Sequence, residues 1–160
     1  MSDNNEQLAM RNEQCEIDFI EQRIINAVNN LLKGRVNEKL NNYQFFFPLV
    51  EFSDYGGSSS VVPVVSLSSC EQTEKERIIK QNAYSMTITF TIPENPDSEL
   101  YCYAYATAFE KALNEDVTLG GVADRAVITN KKYYPPKKPN CGMCWELVLS
   151  LRITVENLLP

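Results

Sequence analysis

The chain has 160 residues, of which 44% are hydrophobic and 22% charged, and this composition predicts one globular domain with its own core. It has no histidine and a formal net charge of −6, which disfavours general nucleic-acid binding and removes the commonest general base and zinc ligand. No run of about 18 apolar residues occurs, so we expect no transmembrane helix. Residues 1–14 lack the features of a signal peptide, so we expect a cytoplasmic protein whose five cysteines are reduced.

The first half of the chain begins with a segment rich in Asn, Gln and Glu. We expect residues 1–13 to be disordered and residues 14–160 to form the single domain. Apolar residues recur every third or fourth position from Ile17 to Leu31, which predicts a helix over 14–33 that stops at Gly34. The remaining elements of this half are predicted as strands over 43–52 and 61–67, pairing as a hairpin around the loop 54–60, and an exposed polar connector over 68–81.

The second half has the clearest periodicity. Residues 84–92 alternate between apolar and polar, which predicts a strand with one buried face. Asn95 and Pro96 predict the start of a helix that runs to about Asn114. The remaining elements are predicted as a turn over 116–122, a strand over 123–134, a stiff loop over 135–141 and a last strand over 145–155. Neighbouring strands without βαβ units predict an α+β fold, with a mostly antiparallel sheet packed by two helices.

Cys141 and Cys144 form the one motif with the spacing of a metal or redox site. Zinc requires four ligands, and the chain has no histidine and no second cysteine pair of this kind. Redox chemistry of the thioredoxin type needs the pair at the start of a helix, whereas a predicted strand follows here. The pattern favours a structural loop, with a zinc ion shared between subunits or a disulfide formed in air as alternatives.

Other candidate sites lack the residues that their chemistry needs. Gly120 and Gly121 have none of the flanking residues of a phosphate loop, and they favour a tight turn. The acidic residues that could hold a metal have no ordered ligand spacing; they are Glu110, Glu115, Asp116 and Asp124. We therefore expect no catalytic, cofactor-binding or metal site, and no enzyme activity.

Two groups of residues are candidates for contact surfaces. Phe45, Phe46 and Phe47 cannot all face one side of a strand, so at least one reaches a second surface, which is either core or a subunit interface. The second group is the basic cluster of this acidic chain, which comprises Arg125, Lys131, Lys132, Lys137 and Lys138. This cluster is either an interface for an acidic partner or passing DNA, or a solvated hairpin tip.

Several local motifs stand in a characteristic order along residues 15–156. They are Phe47-Pro48-Leu49-Val50, a strand ending in Ile92-Pro93, the D-x-T-L-G-G turn Asp116–Gly121, Tyr134-Pro135-Pro136, and a last strand led by Trp145. In this order the chain resembles the tail-terminator and tail-completion proteins of long-tailed phages and related prophages.

The resemblance implies a non-catalytic virion protein, assembled in the host bacterial cytoplasm, that forms a homo-oligomeric ring, usually a hexamer. Such a ring sits at the head-proximal end of the tail, caps the tail tube, stops tube polymerisation and presents a surface to the head-side connector. It implies that DNA passes through the lumen without sequence-specific binding and that no membrane is involved. One alternative is another structural subunit of a phage tail or neck or of a contractile injection machine, such as a tube or baseplate subunit. The other is a small cytoplasmic protein that uses Cys141 and Cys144 for metal or redox chemistry.

Overall fold

A computed structural model describes residues 19–45, 47–50, 61–137 and 144–158, with Glu76 and Leu158 described by their backbone only. The predicted disorder of residues 1–13 falls outside these ranges. The helical elements are α1 (Ile20–Leu31), a π-helical turn (Leu32–Val36), α2 (Asn37–Asn41) and α3 (Ser98–Glu115). The strands are β1 (Pro63–Glu76), β2 (Ile79–Pro93), β3 (Arg125–Tyr134) and β4 (Cys144–Leu158).

The four strands form one antiparallel sheet in the order β1-β2-β4-β3. β2 and β4 pair along their full lengths, from Ile79 opposite Leu158 to Pro93 opposite Cys144. α1, the π turn and α2 follow one another without a break, and they form one of the two helical segments that pack on the sheet. The predicted α+β fold with an antiparallel sheet and two helices is therefore confirmed.

The core lies between the helices and one face of the sheet. Alternate residues of β2 from Tyr84 to Ile92, and of β4 from Leu147 to Val155, are buried, as their period of two predicts. The ring of Tyr105 in α3 stacks on Phe90, with the centroids 5.6 Å apart and the planes at 17°. The opposite face of β2 carries half-buried and exposed hydroxyl residues, so this sheet is covered on one side.

The predicted helix stop at Gly34 is wrong. Gly34 lies inside the π-helical turn, and the helical segment continues to Asn41. The reason is tertiary packing, because Leu32, Val36 and Leu40 extend the buried apolar stripe of α1 past the glycine. Burial of this stripe outweighs the low helix propensity of one glycine.

The strand predicted over 43–52 is also wrong within the described residues. Val50 makes one isolated parallel bridge to Val61, and the predicted hairpin with 61–67 does not form. Side chains from the helices hold this segment instead. The Val50 N–H donates to Asn37 Oδ1 over 2.8 Å, Asn37 Nδ2 donates to the Val50 carbonyl over 3.0 Å, and the Tyr105 hydroxyl donates to the Pro48 carbonyl.

The exposed connector predicted over 68–81 is in fact part of a long β-hairpin. β1 continues to Glu76 and β2 begins at Ile79, with Glu71 opposite Ala83 and Glu74 opposite Lys80. The described side chains of 71–78 are exposed, so the segment has no apolar alternation to reveal a strand. We call residues 71–81 the hairpin arm.

The other predicted helix and strands are confirmed with small shifts of their ends, whereas the predicted loop 54–60 and residues 138–141 of the predicted loop 135–141 lie outside the described residues. The strands over 84–92, 123–134 and 145–155 correspond to β2, β3 and β4. α3 begins at Ser98 rather than Pro96, since Asn95 Oδ1 accepts from the Asp97 N–H over 2.7 Å and forms a turn before the helix. None of the helices in the described ranges is long and apolar enough to cross a membrane.

Candidate interaction surfaces

The first candidate surface is an apolar groove between the segment after α2 and the outer side of α3. Its volume is about 350 Å³, and we call it the aromatic groove. Its main lining residues are Tyr43, Phe45, Phe47, Leu100, Tyr103 and Thr107. The exposed fractions of Phe45, Leu100 and Tyr103 are 43%, 44% and 46%. Aromatic and aliphatic side chains that remain exposed around a concavity are typical of a contact surface.

The two described residues of the phenylalanine run have different environments. Phe47 is buried and packs edge-on against Tyr101, with ring centroids 5.4 Å apart. Phe45 lies 5.2 Å from Phe47 between ring centroids and faces the groove. Phe46 is outside the described residues. The run therefore supplies both core packing and an exposed aromatic side chain, and its predicted interface role stays a prediction.

The residues that α3 contributes to the groove were not predicted from the sequence. Leu100, Tyr103 and Thr107 recur at spacings of three and four residues, which places them on one side of the helix. This side lies away from the buried residues Cys102, Tyr105 and Phe109. The spacing was a readable signal of an outward apolar stripe.

Tyr103 connects the groove to β3 and to an acidic rim. Its ring meets that of Tyr133 edge-on, with the centroids 5.4 Å apart. Its hydroxyl donates to Glu99 Oε1 over 2.6 Å, and this hydrogen bond raises the pKa of Tyr103. Glu99 and Asp97 are both exposed at the start of α3.

The sheet divides the predicted basic cluster. By strand register, Lys131 lies opposite Leu149 on the helix-covered face, and its ammonium pairs with Glu110 of α3. Lys132 lies opposite Val148 on the uncovered face, where Arg125 and Arg152 are also exposed. Lys137 is exposed beyond the end of β3, and Lys138 is outside the described residues. The five cations do not share one face, and their predicted interface role stays a prediction.

Position 129 decides which of the two lysines lies on the same face as Arg125. The register of β3 against β4 shifts between Ile128 and Asn130, which leaves Thr129 as a bulge. A bulge and nearby lysines are two devices that keep an edge strand from pairing with another chain. β3 is therefore better suited to side-chain contacts than to strand addition.

The turn after α3 is tight, as predicted from its glycines. Leu119, Gly120 and Gly121 have φ angles of 53°, 71° and 88°, so three consecutive residues are left-handed. The Asp116 carboxylate accepts from Thr118 Oγ1 over 2.6 Å and from the Gly120 N–H over 2.8 Å. The bond from Thr118 is the main cause that lowers the pKa of Asp116.

Two observations bear on metal chemistry. The carboxylate of Asp116 is used by its own turn, and that of Glu115 pairs with Lys39 and with Arg35, the latter at 3.5 Å. Within the described ranges, no group of three or more acidic, cysteine or histidine residues could hold a metal ion.

A second, more polar groove of about 540 Å³ lies between α1 and this turn. It is lined by Arg23, Asn26, Asn30, Arg35 and Asp116, among others. Arg35 and Asp116 are both engaged in the contacts just described. The lining of this groove carries side chains that can form hydrogen bonds with the polar surface of a partner.

The described cysteines are unpaired and differ in their exposure to solvent. Cys70 and Cys144 are exposed free thiols, and Cys102 is buried in α3. Burial raises the pKa of Cys102 to about 11, so its side chain is a thiol at neutral pH. Cys141 lies outside the described residues, and the predicted metal or redox use of Cys141 and Cys144 stays a prediction.

The chain was compared with known protein families and with curated proteins. No family model matches it, and no curated protein matches it significantly. Its function must therefore be inferred from its own surfaces and from the order of its motifs.

Proposed function

We propose that this protein is a structural subunit that assembles with copies of itself into a closed ring, and that the ring caps the tail tube of a long-tailed phage. The phage assignment is supported by the order of motifs over residues 15–156, which resembles tail-terminator and tail-completion proteins. In such a role the ring, expected to be a hexamer, stops tube growth and receives the head-side connector. The protein acts by contact and not by catalysis.

One structural observation carries the ring. Two of the places that expose apolar side chains are unlike and far apart: the aromatic groove, and the tip of the hairpin arm, where Ile78 is 61% exposed. Other exposed apolar residues of the described chain are Phe19, Leu49, Val62, Val64, Tyr133 and Tyr134. The groove is near the end of β2 at Pro93, since α3 starts at Ser98, whereas Ile78 immediately precedes the other end at Ile79. At the usual rise per residue, these 15 residues span roughly 45 Å.

Two unlike surfaces at opposite ends of a molecule favour head-to-tail association. A two-fold dimer uses one self-complementary patch, whereas a ring uses two different patches that match each other. Because each copy offers both patches, association continues head to tail, and it ends in a ring where the rotation between neighbouring copies closes.

The use of the charged groups also supports a contact function. Glu110 pairs with Lys131 between α3 and β3, and Glu115 pairs with Lys39 between α3 and α2. Asp116 holds its own turn. These acids hold the elements that carry the surfaces in fixed positions.

The mass of the purified chain tests the ring. Sedimentation velocity and native mass spectrometry should show a closed oligomer of fixed subunit number, whose mass stays constant over a range of concentrations. A monomer at every concentration, both alone and with tail tubes present, would contradict the proposal. Open-ended tubes of this chain would instead favour the alternative of a tube subunit.

Tube capping needs its own measurement. Adding the protein to the polymerising tube protein of the same phage should halt elongation, and electron microscopy should show one ring at a tube end. A ring that leaves tube length unchanged would refute the capping role while leaving ring formation intact.

Two charged residues of the uncovered face, one basic and one acidic, give a matched pair of variants. Lys132→Glu should weaken attachment or capping if this face is an interface, because it reverses an exposed charge. Glu146→Lys changes charge by the same amount on the same face, opposite Tyr134, in the other direction. Equal behaviour of both variants and the native protein would show that the cations serve solubility alone.

A further inference from the structure

We infer that the tip of the hairpin arm docks in the aromatic groove of a second copy of this chain. The tip comprises Arg77, Ile78 and Ile79. This inference rests on the proposed ring, since it specifies the contact through which one subunit holds the next.

The hairpin arm lacks a core of its own. From Glu71 to Lys75, and again at Arg77 and Ile78, its described side chains are exposed. The strands nevertheless continue in register, with Thr73 opposite Gln81 and Glu76 opposite Ile79. A polar ladder of this length ends in two consecutive isoleucines, and Ile78 has the more exposed side chain of the two. Such a tip exposes apolar surface where nothing within its own chain's described residues covers it.

The groove has the size and lining that this tip requires. An apolar cavity of about 150 Å³ already holds a benzene molecule, and the groove measures about 350 Å³. It therefore has room for the side chain of Ile78 together with part of a neighbour. Phe45, Leu100 and Tyr103 would lose their exposed apolar surface to the same contact.

Charge complementarity identifies the occupant as another copy of this chain. The exposed acids Asp97 and Glu99 lie at the start of α3, beside Leu100 in the groove. Arg77 is exposed at the tip, next to Ile78, while Lys80 has Glu74 as its cross-strand neighbour. Copies with a net charge of −6 repel each other in general. Placing the guanidinium of Arg77 against the carboxylates of Asp97 and Glu99 gives them one orientation with a local attraction.

The tip and the groove of one molecule cannot meet, because they lie at opposite ends of β2. Among the described residues, each copy therefore presents one uncovered tip and one uncovered groove, and the head-to-tail use of both gives a ring where the rotation between copies closes.

Two complementary variants test this contact. Ile78→Asp disables the tip, and Leu100→Asp disables the groove; both sites are exposed, and an acid in the first turn of α3 suits the helix. Each variant alone should lose at least about 30-fold in self-association, the loss typical of a central interface residue. Val64→Asp is the matched control, because Val64 is 62% exposed on β1 away from both surfaces, and it should still form rings.

Mixing the two variants gives the decisive measurement. The intact tip of the Leu100→Asp protein can enter the intact groove of the Ile78→Asp protein, and neither partner can extend further. Sedimentation velocity should therefore show a heterodimer in the mixture and monomers in each separate sample. Rings formed by either variant alone, or a mixture that stays monomeric, would overturn the inference.

A photo-crosslinking amino acid at position 78 locates the contact directly. With isotopically mixed chains, it should join position 78 of one copy to peptides containing Phe45 or Tyr103 of another. Crosslinks from position 78 to other surfaces would overturn the inference. A second probe at position 103 would also overturn it by capturing the tube protein, or residues 1–18 or 51–60 of its own chain, in place of the tip. If the native chain never forms a ring, the proposed function fails as well; if rings form but the variants still assemble, only this inference fails.

Discussion

β2 passes through two environments that differ in what stabilises them. In its helix-covered part, Ile88 and Phe90 are fully buried against the core. In the hairpin arm, the same strand pairs with the same neighbours but Ile78, at the turn, is 61% exposed. Continuous hydrogen bonding can thus extend a strand well beyond its core. The helix-covered part stabilises the fold, whereas the arm extends away from the core and leaves its tip available for contact with a partner.

The largest expected effect is on the free energy of unfolding, when an isoleucine is shortened to alanine in each of the two environments. Ile88→Ala should lower the free energy of unfolding by about 2–5 kcal/mol, because it removes buried methyl groups and leaves a cavity. Ile78→Ala should change it by less than about 1 kcal/mol, because that side chain is mostly in water already. Urea denaturation measures both, with each variant made in the Leu100→Asp chain so that assembly does not contribute. Similar losses would show that the arm belongs to the core.

The same contrast explains how far the sequence predicted the fold. Alternation revealed β2 from Tyr84 to Ile92 because one face there is buried. It did not reveal the strand character of 68–81, where side chains on both faces are solvated and burial imposes no period. The error at Gly34 has a related cause, since packing of the helix outweighed a local signal.

The candidate site was predicted only where it is local in sequence. Phe45, Phe46 and Phe47 were predicted as candidate contact residues because three consecutive phenylalanines cannot share one face. The partners of Phe45 in the groove, Leu100 and Tyr103, come from α3, more than fifty residues later, and tertiary packing brings them together.

Lys131 and Lys132 are consecutive in a strand and so lie on opposite faces. Which of them shares the face of Arg125 depends on a bulge at Thr129 that no turn residue indicates.

The second prediction concerns a hydrogen bond that joins the core to the segment beside the groove. Tyr105→Phe removes the donor to the Pro48 carbonyl but keeps the stacking on Phe90. The free energy of unfolding should fall by about 1–2 kcal/mol, since the partly buried carbonyl loses its partner. Tyr103→Phe, which removes an exposed bond to Glu99, is the matched control and should cost less. An equal loss in both would contradict the structural role of Tyr105.

The third prediction concerns pH and the turn after α3. Hydrogen bonds from Thr118 and Gly120 hold the pKa of Asp116 below its ordinary value in the folded chain. The carboxylate therefore stabilises the fold above that ordinary value, about pH 4, and this contribution is lost as the pH falls through the lower folded pKa. Relative to the native protein, Asp116→Asn should be destabilised at neutral pH, with a difference that narrows below about pH 4.

Glu115, whose pKa is also lowered by Lys39, is present in both proteins and cancels in that comparison. Urea denaturation at a series of pH values measures the difference. A difference that stays constant down to acid pH would show that the carboxylate charge does not stabilise the turn.

The smallest expected change in the free energy of unfolding comes from removing an ion pair of the hairpin arm. Lys75 Nζ lies 2.7 Å from Glu156 Oε1, with 56% and 30% of the two side chains exposed. Because an exposed pair of this kind is screened by water, Lys75→Ala should change the free energy of unfolding by at most about 0.5 kcal/mol. Amide hydrogen exchange should quicken from Gln72 to Gln81 and stay unchanged around Ile88, since the arm can open without the core. Faster exchange in both regions would mean that the arm and the core unfold as one unit. The arm would then contribute to the stability of the fold as the core does.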